Sequence, residues 1–208
     1  MKLIDIIYPP RCICCYEVIG HNRLTCENCA KDLEKRKNYI DFCTPDFNCT
    51  SLYQYEGSTK GVISCIKFKR SLTICKKVGK LLADEAEKMH ANTPFDLVVY
   101  VPMTPKSTAK RGFNQSEVFA KIISKKLNLK FKKNVLRKIR ETEPQKSLKA
   151  AQRKTNLKGA FKVCKNVEGK NVLLIDDIIT TGVTLKENAK MLYKAGAKKI
   201  TALTFAKV

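Results

Sequence analysis

Apolar residues along the chain keep two rhythms, and their alternation predicts the fold. Leu52, Tyr53 and Tyr55 lie in a strand that ends at Gly57, and Val62, Ile63 and Ile66 follow at helical spacing. Lys67-Phe68-Lys69-Arg70 closes that helix with cations suited to the negative end of its dipole. Ile74, Val78, Leu81, Leu82 and Met89 mark a second helix, and Asp96 to Val101 is an apolar strand stopped by Pro102. Beyond a loop rich in Pro and Lys, Asn114 and Glu117 have capping-box spacing ahead of a helix whose inner stripe is Val118, Phe119, Ile122 and Ile123. Val172 to Ile175 are four apolar residues without alternation, the pattern of a strand covered on both faces. Residues 172 to 205 then read as one βαβ unit, with a helix from Leu185 to Ala195, Gly196 ending it and a return strand from Ile200 to Phe205. Strands and helices in this order predict an α/β domain, a parallel sheet flanked by helices, over about residues 51 to 208.

Residues 1 to 45 have a different character. A short apolar lead of Leu3, Ile4, Ile6 and Ile7 stops at Pro9-Pro10, and two C-x₂-C pairs follow, ten residues apart. Four thiolates so spaced can surround one tetrahedral Zn²⁺, which assigns Cys12, Cys15, Cys26 and Cys29 as ligands of a small zinc module. A closed Cys₄ shell leaves no open position for substrate, so the metal is structural. Cys14 is a spare thiol that could exchange with a neighbour, and a lone redox C-x-x-C is disfavoured by the second pair. Glu27 to Lys37 can run as a helix out of the second pair. Cys65, Cys75 and Cys164 fall among apolar neighbours and read as small core residues.

At 208 residues and 44% hydrophobic content, the chain can hold one full domain and one small one. No apolar run approaches the roughly 20 residues of a membrane span, and Met1-Lys2-Leu3-Ile4-Asp5 lacks a signal-peptide layout. A cytoplasmic protein without membrane insertion is expected. Ten cysteines in a reducing compartment are then thiols and metal ligands, not disulfides.

The densest chemistry lies in residues 172 to 184, where the apolar strand runs into Asp176, Asp177, Thr180, Thr181, Gly182, Val183 and Thr184. In an open α/β sheet, ligands bind at the carboxyl ends of the strands. The threonines and Gly182 supply hydroxyls and a flexible backbone at a helix start, where unpaired N–H groups and the dipole favour a phosphate. Two adjacent carboxylates would repel that phosphate, but they can accept from the vicinal hydroxyls of a ribose or share a Mg²⁺ ion with a diphosphate. The stretch therefore reads as a ribose-5-phosphate site, with the acidic pair at an exposed strand end. Capping the helix from Leu185 would need one such residue, and five or six are present.

A second strand end leads into Met103-Thr104-Pro105-Lys106 and then Lys110-Arg111-Gly112-Phe113-Asn114-Gln115. This is another anion site, with Thr104, Lys106 and Arg111 as its candidates, set against the reading of an ordinary solvated loop. Arg140 to Thr155 is polar, aperiodic until Leu148 and contains Pro144, which reads as a mobile segment.

Charge sharpens the picture. The net charge is +22, and residues 105 to 170 hold 20 Lys and Arg against 4 Asp and Glu. Such a field favours phosphorylated partners, a diphosphate or a nucleic-acid backbone, although solvated Lys faces would give the same excess. The sixteen Phe and Tyr residues, with no Trp, form no obvious stacking series, so direct binding of single-stranded DNA has weak support in the sequence.

The apolar-four, Asp-Asp, Thr-Thr-Gly-x-Thr pattern of residues 172 to 184 resembles the signature with which type I phosphoribosyltransferases bind phosphoribosyl pyrophosphate (PRPP). Together with Arg111 to Gln115 and with Arg140, Gln145, Lys146, Arg153 and Asn156, it makes nearly the whole chain resemble the ComF family of competence proteins. That resemblance implies the type I phosphoribosyltransferase fold, PRPP with Mg²⁺ as ligand, and pyrophosphate on the loop of Thr104, Lys106 and Arg111. It implies a flexible lid carrying Arg140, Gln145, Lys146 and Arg153, which would exclude water on closing. Displacement at C1 of PRPP passes through an oxocarbenium-like state with pyrophosphate leaving. Mg²⁺, Arg111 and the lid cations would stabilise that state, while Asp177 would hold a hydroxyl or serve as a base. Many ComF relatives carry a second set of paired cysteines where this chain has only the single Cys43 and Cys49. The family implies a role in natural transformation, handling incoming single-stranded DNA in the cytoplasm beside other competence or DNA-processing proteins. The alternative is an active phosphoribosyltransferase of nucleotide or related metabolism, whose acceptor stays unnamed because no segment carries a recognisable base pocket.

Overall fold

The computed structural model describes residues 9–20, 23–44, 47–142 and 156–208. In chain order the elements are α1 (Glu27–Lys35), β1 (Lys37–Cys43), β2 (Asn48–Gln54), α2 (Gly57–Lys67), α3 (Leu72–Asn92), β3 (Leu97–Tyr100), α4 (Pro105–Arg111) and α5 (Gln115–Lys126). They continue with β4 (Leu136–Lys138), β5 (Phe161–Val163), β6 (Asn171–Ile179), α6 (Val183–Lys194) and β7 (Lys199–Lys207). Strand β6 is buried without a break from Val172 to Asp177, as four successive apolar residues require. Its neighbours follow the order β1-β2-β7-β6-β3, with β2, β7, β6 and β3 parallel and β1 antiparallel to β2.

Register divides the side chains of this sheet between two cores. Val99 pairs with Leu174 and Leu174 with Ala202, and these residues pack against Leu185, Ala189 and Leu192 of α6. The alternate residues Val98, Leu173, Ile175, Leu203 and Phe205 pack on the other face against Ile63 and Ile66 of α2, Val78 and Leu82 of α3, and Phe119 and Ile123 of α5. This three-layer arrangement holds the carboxyl end of β6 open between α2, α5 and α6. Strands β4 and β5 form a separate antiparallel pair beside it. Among the described residues, no helix is long and apolar enough to cross a membrane.

Three details depart from the pattern in the sequence. Helix α1 stops at Lys35, and the chain turns into β1, which extends the main sheet back to Lys37. As an edge strand β1 is mostly exposed, so it shows little of the alternation that marks a strand. Cys65 and Cys75 are buried as expected, but Cys164 is exposed because β5 ends at Val163 and the side chain falls outside the core. Asn114 does cap α5, accepting from the N–H groups of Ser116 and Glu117, yet Glu117 turns to Lys133 at 3.0 Å and does not complete a reciprocal box.

Candidate functional site

The acidic pair at the end of β6 is buried, not exposed as the strand-end reading expects; Asp176 is 9% and Asp177 5% accessible. Burial of two carboxylates is tolerated because neighbouring helices supply donors. Asp176 Oδ1 accepts from Ser116 Oγ at 3.0 Å and from the Asp177 N–H at 2.9 Å. Asp177 Oδ2 accepts from Gln115 Nε2 at 2.8 Å and pairs with Lys67 Nζ at 2.8 Å. Among the described residues no donor reaches the other oxygen of either carboxylate, which leaves one acceptor on each for a ligand hydroxyl or a hydrated cation. Burial, and then the adjacent Asp177 charge, push the Asp176 carboxyl up to about 7 against the pull of the Asp177 N–H, Lys67 and Ser116.

Directly beyond the strand, at Thr180, the chain enters the Thr-Gly loop. Gly182 has φ +73°, a left-handed conformation that costs glycine little, and it turns the loop directly into α6. A Cβ there would also sit 3.1 Å from the Phe42 ring of β1, so the loop rests on the edge strand. No side chain caps α6, and its opening N–H groups face the loop. Thr180 and Gly182 to Thr184 line a cavity of ≈ 720 Å³ together with Asp176, Asp177, Lys67 and Arg111. Thr181 is exposed and is not part of its lining. Val183 also packs against the small cluster of Leu157, Ala160 and Phe161, which ties the loop to β5.

A second cavity of ≈ 630 Å³ adjoins the first and shares Lys67, Phe68, Arg111 and Thr184 with it. Of the predicted anion-loop residues, Thr104 and Arg111 line this cavity and Lys106 does not; Ser107 and Lys110, farther along α4, take its place. The Thr104 hydroxyl accepts from the Ser107 N–H at 3.2 Å and so caps α4. Arg111 Nη1 donates to Gln115 Oε1 at 2.8 Å, and the same Gln115 amide donates to Asp177. The two residues singled out as catalytic are thereby joined through one amide.

Lys67, Gln115, Ser116, Lys110 and Lys138 were not among the site residues expected from sequence. Gln115 lies in the Arg-Gly-Phe-Asn-Gln run and had a signal. Lys67 had none, because a lysine in a last helical turn looks like a response to the helix dipole, and its partner is 110 positions away. Of the expected lid residues, Gln145, Lys146 and Arg153 lie outside the described residues. Arg140 does not line either cavity; its guanidinium donates to the carbonyls of Asn156 and Lys158 at 2.9 and 3.0 Å.

The four predicted zinc ligands come together, with their sulfur atoms all within 4.8 Å of one another. Cys15 and Cys26 are 3.6 Å apart, close to the roughly 3.8 Å that four 2.3 Å bonds in a tetrahedron demand. Burial raises the Cys12 thiol, but backbone donors from Cys15, Cys26 and Cys14 outweigh it and hold that thiol down at about 6. A closed set of soft thiolates suits structural Zn²⁺. Cys14 is not a ligand. Its thiol donates to the Ser58 carbonyl at 3.3 Å, and burial pushes it up to about 12. Cys43 pairs with Asn48 and Cys49 with Phe42, so the two thiols project from opposite faces of the sheet and cannot share a metal. Among the described residues the Cys12 cluster is the only group of three or more such ligands.

Two family models match the chain. The phosphoribosyl transferase domain matches residues 114–208, and the double zinc ribbon domain matches residues 3–44. The chain is 30% identical over 183 residues to the DNA utilization protein YhgH of Escherichia coli (strain K12), covering 86% of this chain and 76% of that one. It is 28% identical over 201 residues to Competence protein ComFC of Streptococcus pneumoniae, covering 94% and 86%. Competence protein F of Haemophilus influenzae is 32% identical over 145 residues, 67% of this chain and 63% of its own. Its α/β domain therefore has the type I phosphoribosyltransferase fold, its N-terminal module is a structural zinc ribbon, and the chain belongs to the ComF family.

Proposed function

We propose that the paired cavities bind PRPP and that the protein acts in DNA uptake during natural transformation, handling incoming single-stranded DNA in the cytoplasm. The observation that carries the ligand assignment is the convergence, at one end of β6, of a buried acidic pair, a Thr-Gly loop opening α6, and the cations Lys67 and Arg111. The ribose hydroxyls fall to the unused oxygens of Asp176 and Asp177, the 5′-phosphate to residues 180–184, and the diphosphate to Thr104, Lys110 and Arg111. The donor set fits Mg²⁺, which would be held between the acidic pair and the diphosphate and would supply charge neutralisation there. The names of the relatives, DNA utilization and competence proteins, support the cellular role.

PRPP with Mg²⁺ is expected to raise the melting temperature, since a ligand at about 100 times its dissociation constant adds roughly 2.7 kcal/mol. Ribose-5-phosphate should give a smaller shift. No shift with PRPP and Mg²⁺ at millimolar concentration would overturn the assignment.

An active phosphoribosyltransferase is the second reading, favoured by the Arg111–Gln115–Asp177 chain between the diphosphate and ribose sides. In that reaction the C1–O bond breaks with its electrons passing to pyrophosphate, beside Arg111 and Lys67, and the acceptor forms a new bond to C1. Pyrophosphate release on adding candidate acceptors separates the two readings.

For DNA, the structure distinguishes among the lysines. Lys126 pairs with Asp84 and Glu87, and Lys133 with Glu117, whereas Lys125, Lys130 and Lys132 are exposed with no ion pair to a described residue. If this face binds single-stranded DNA, neutralising Lys125, Lys130 and Lys132 should flatten the salt dependence of log K by roughly 2, at about 0.7 per phosphate contact. An unchanged slope in a filter-binding titration would remove these lysines from the interface.

A further inference from the structure

Helix α2 is the bridge between the zinc module and the cleft. Its eleven residues span about 16 Å at 1.5 Å per residue. At its first turn, the Ser58 N–H donates to Asp32 Oδ2 of α1 at 2.8 Å. The helix has no acidic residue in that turn, and Glu56 makes no capping bond, so a carboxylate from the zinc module supplies both partner and charge. Arg36 fixes that carboxylate in turn, with Nε 2.8 Å from Asp32 Oδ1. One turn on, Gly61 lies against Cys14, where an added Cβ would be 2.8 Å from the Cys14 Cα. One turn farther, Cys65 Sγ donates to the Ile13 carbonyl at 3.1 Å. Ser58, Gly61 and Cys65 stand at i, i+3 and i+7, a single stripe along the helix. Cys14 and Ile13 lie between zinc ligands Cys12 and Cys15, so the metal cluster holds the surface against which this stripe is seated.

The last residue of the same helix is Lys67, whose ammonium meets Asp177 at 2.8 Å and lines both cavities. We propose that the zinc module acts through α2 as the positioning element for Lys67, so that docking of the module and occupancy of the cleft are coupled. Seating the stripe fixes the axial position and rotation of α2, and with them the point from which the lysine reaches the acidic pair. The held ammonium neutralises Asp177 and faces the space assigned to the diphosphate. Coupling is reciprocal, so a ligand drawn to Lys67 tightens the seat of the module. The ligand half of this inference rests on the PRPP reading of the cleft; the positional half does not.

Gly61→Ala tests both halves. It improves helix propensity while pressing a methyl into the Cys14 backbone, and it leaves every zinc ligand and cleft residue in place. Asp32→Ala, which removes the partner of Ser58 at a part-exposed site, serves as an independent and milder disturbance. Zinc content is measured first, and only protein with one zinc per chain is compared. Limited acetylation followed by peptide mass spectrometry then reads the exposure of Lys67 without any ligand, with exposed Lys80 as the internal reference. Lys67 should acetylate several times faster in both variants than in wild type. In calorimetry, Gly61→Ala should weaken PRPP·Mg²⁺ binding roughly tenfold, and should have no effect when added to Lys67→Met. Unchanged acetylation in both variants overturns the proposal, as does an equal loss of affinity with and without Lys67. Faster acetylation in a protein that binds no PRPP would retain the positional coupling and overturn the ligand reading instead.

Discussion

Cys26→Ser is expected to lose the metal and unfold the N-terminal module, an effect on the order of 10 kcal/mol for a structural zinc site. The size follows because, among the module's described residues, only Cys12 and Cys26 are buried, while Ile13, Leu24 and Leu33 are partly buried against the α/β core. Helix α1 has no buried residue, and Tyr16 and Val18 of the ribbon are about half exposed. With Cys26 gone, three thiols remain around a position that needs four, and the turns carrying Ile13 and Cys14 lose their anchor. Elemental analysis should find about one zinc per wild-type chain and far less in the variant, with thermal unfolding of the variant broadened or lowered. Metal-free protein that melts as the wild type does would sink the zinc assignment.

Asp176→Asn is expected to make the protein more stable at pH 8 and to change little near pH 4. Burial and the Asp177 charge raise the folded carboxyl to about 7, while the unfolded chain has an ordinary carboxylate near 4. Below about pH 4 both states carry the proton, so the neutral variant gains nothing. From about pH 4 to 7 the unfolded state has lost the proton and the folded state keeps it, and wild-type stability falls by about 1.4 kcal/mol per pH unit. Above pH 7 both states are ionised and the whole difference, on the order of 4 kcal/mol, is lost to the wild type. Asparagine keeps an oxygen to accept from Ser116 and from the Asp177 N–H, so the network at this position survives the change. The same variant should bind PRPP poorly, because a neutral amide is a weaker partner for a ribose hydroxyl or a cation. Denaturant unfolding of both proteins at pH 4.5 and pH 8 checks the claim, and an equal difference at the two pH values would refute it.

How much of this was legible in the sequence depended on whether the signal was local. The run Val172 to Thr184 announced its strand and the loop into α6 because period and turn chemistry lie within one short stretch. The zinc ligands were equally plain, and the structure settled the ambiguity at Cys14 by turning its thiol to Ser58. What stayed hidden was made by tertiary contact. Burial of Asp176 and Asp177 comes from α2 and α5 closing over the strand end, and no pattern within residues 172 to 184 encodes it. Lys106 and Lys110 look alike in sequence, and only the path of α4 decides that Lys110 faces the cleft. Strand β1 escaped notice because an edge position asks for little hydrophobic alternation.

The strand order bears on when the protein can become whole. Strands β2 and β6 never touch directly; β7 lies between them, hydrogen-bonded to both. The hairpin that continues from the zinc module is thus joined to the strand bearing the acidic pair by residues 199 to 207. A ribosome releasing the chain from its N-terminus can complete the ribbon, α2 and the β1–β2 hairpin early, but the sheet stays in two pieces until those residues emerge. Parallel pairing across such sequence separations is slow, and each piece meanwhile carries an unpaired edge. Insertion of β7 pairs both of those edges and joins the piece that carries Lys67 to the piece that carries Asp177.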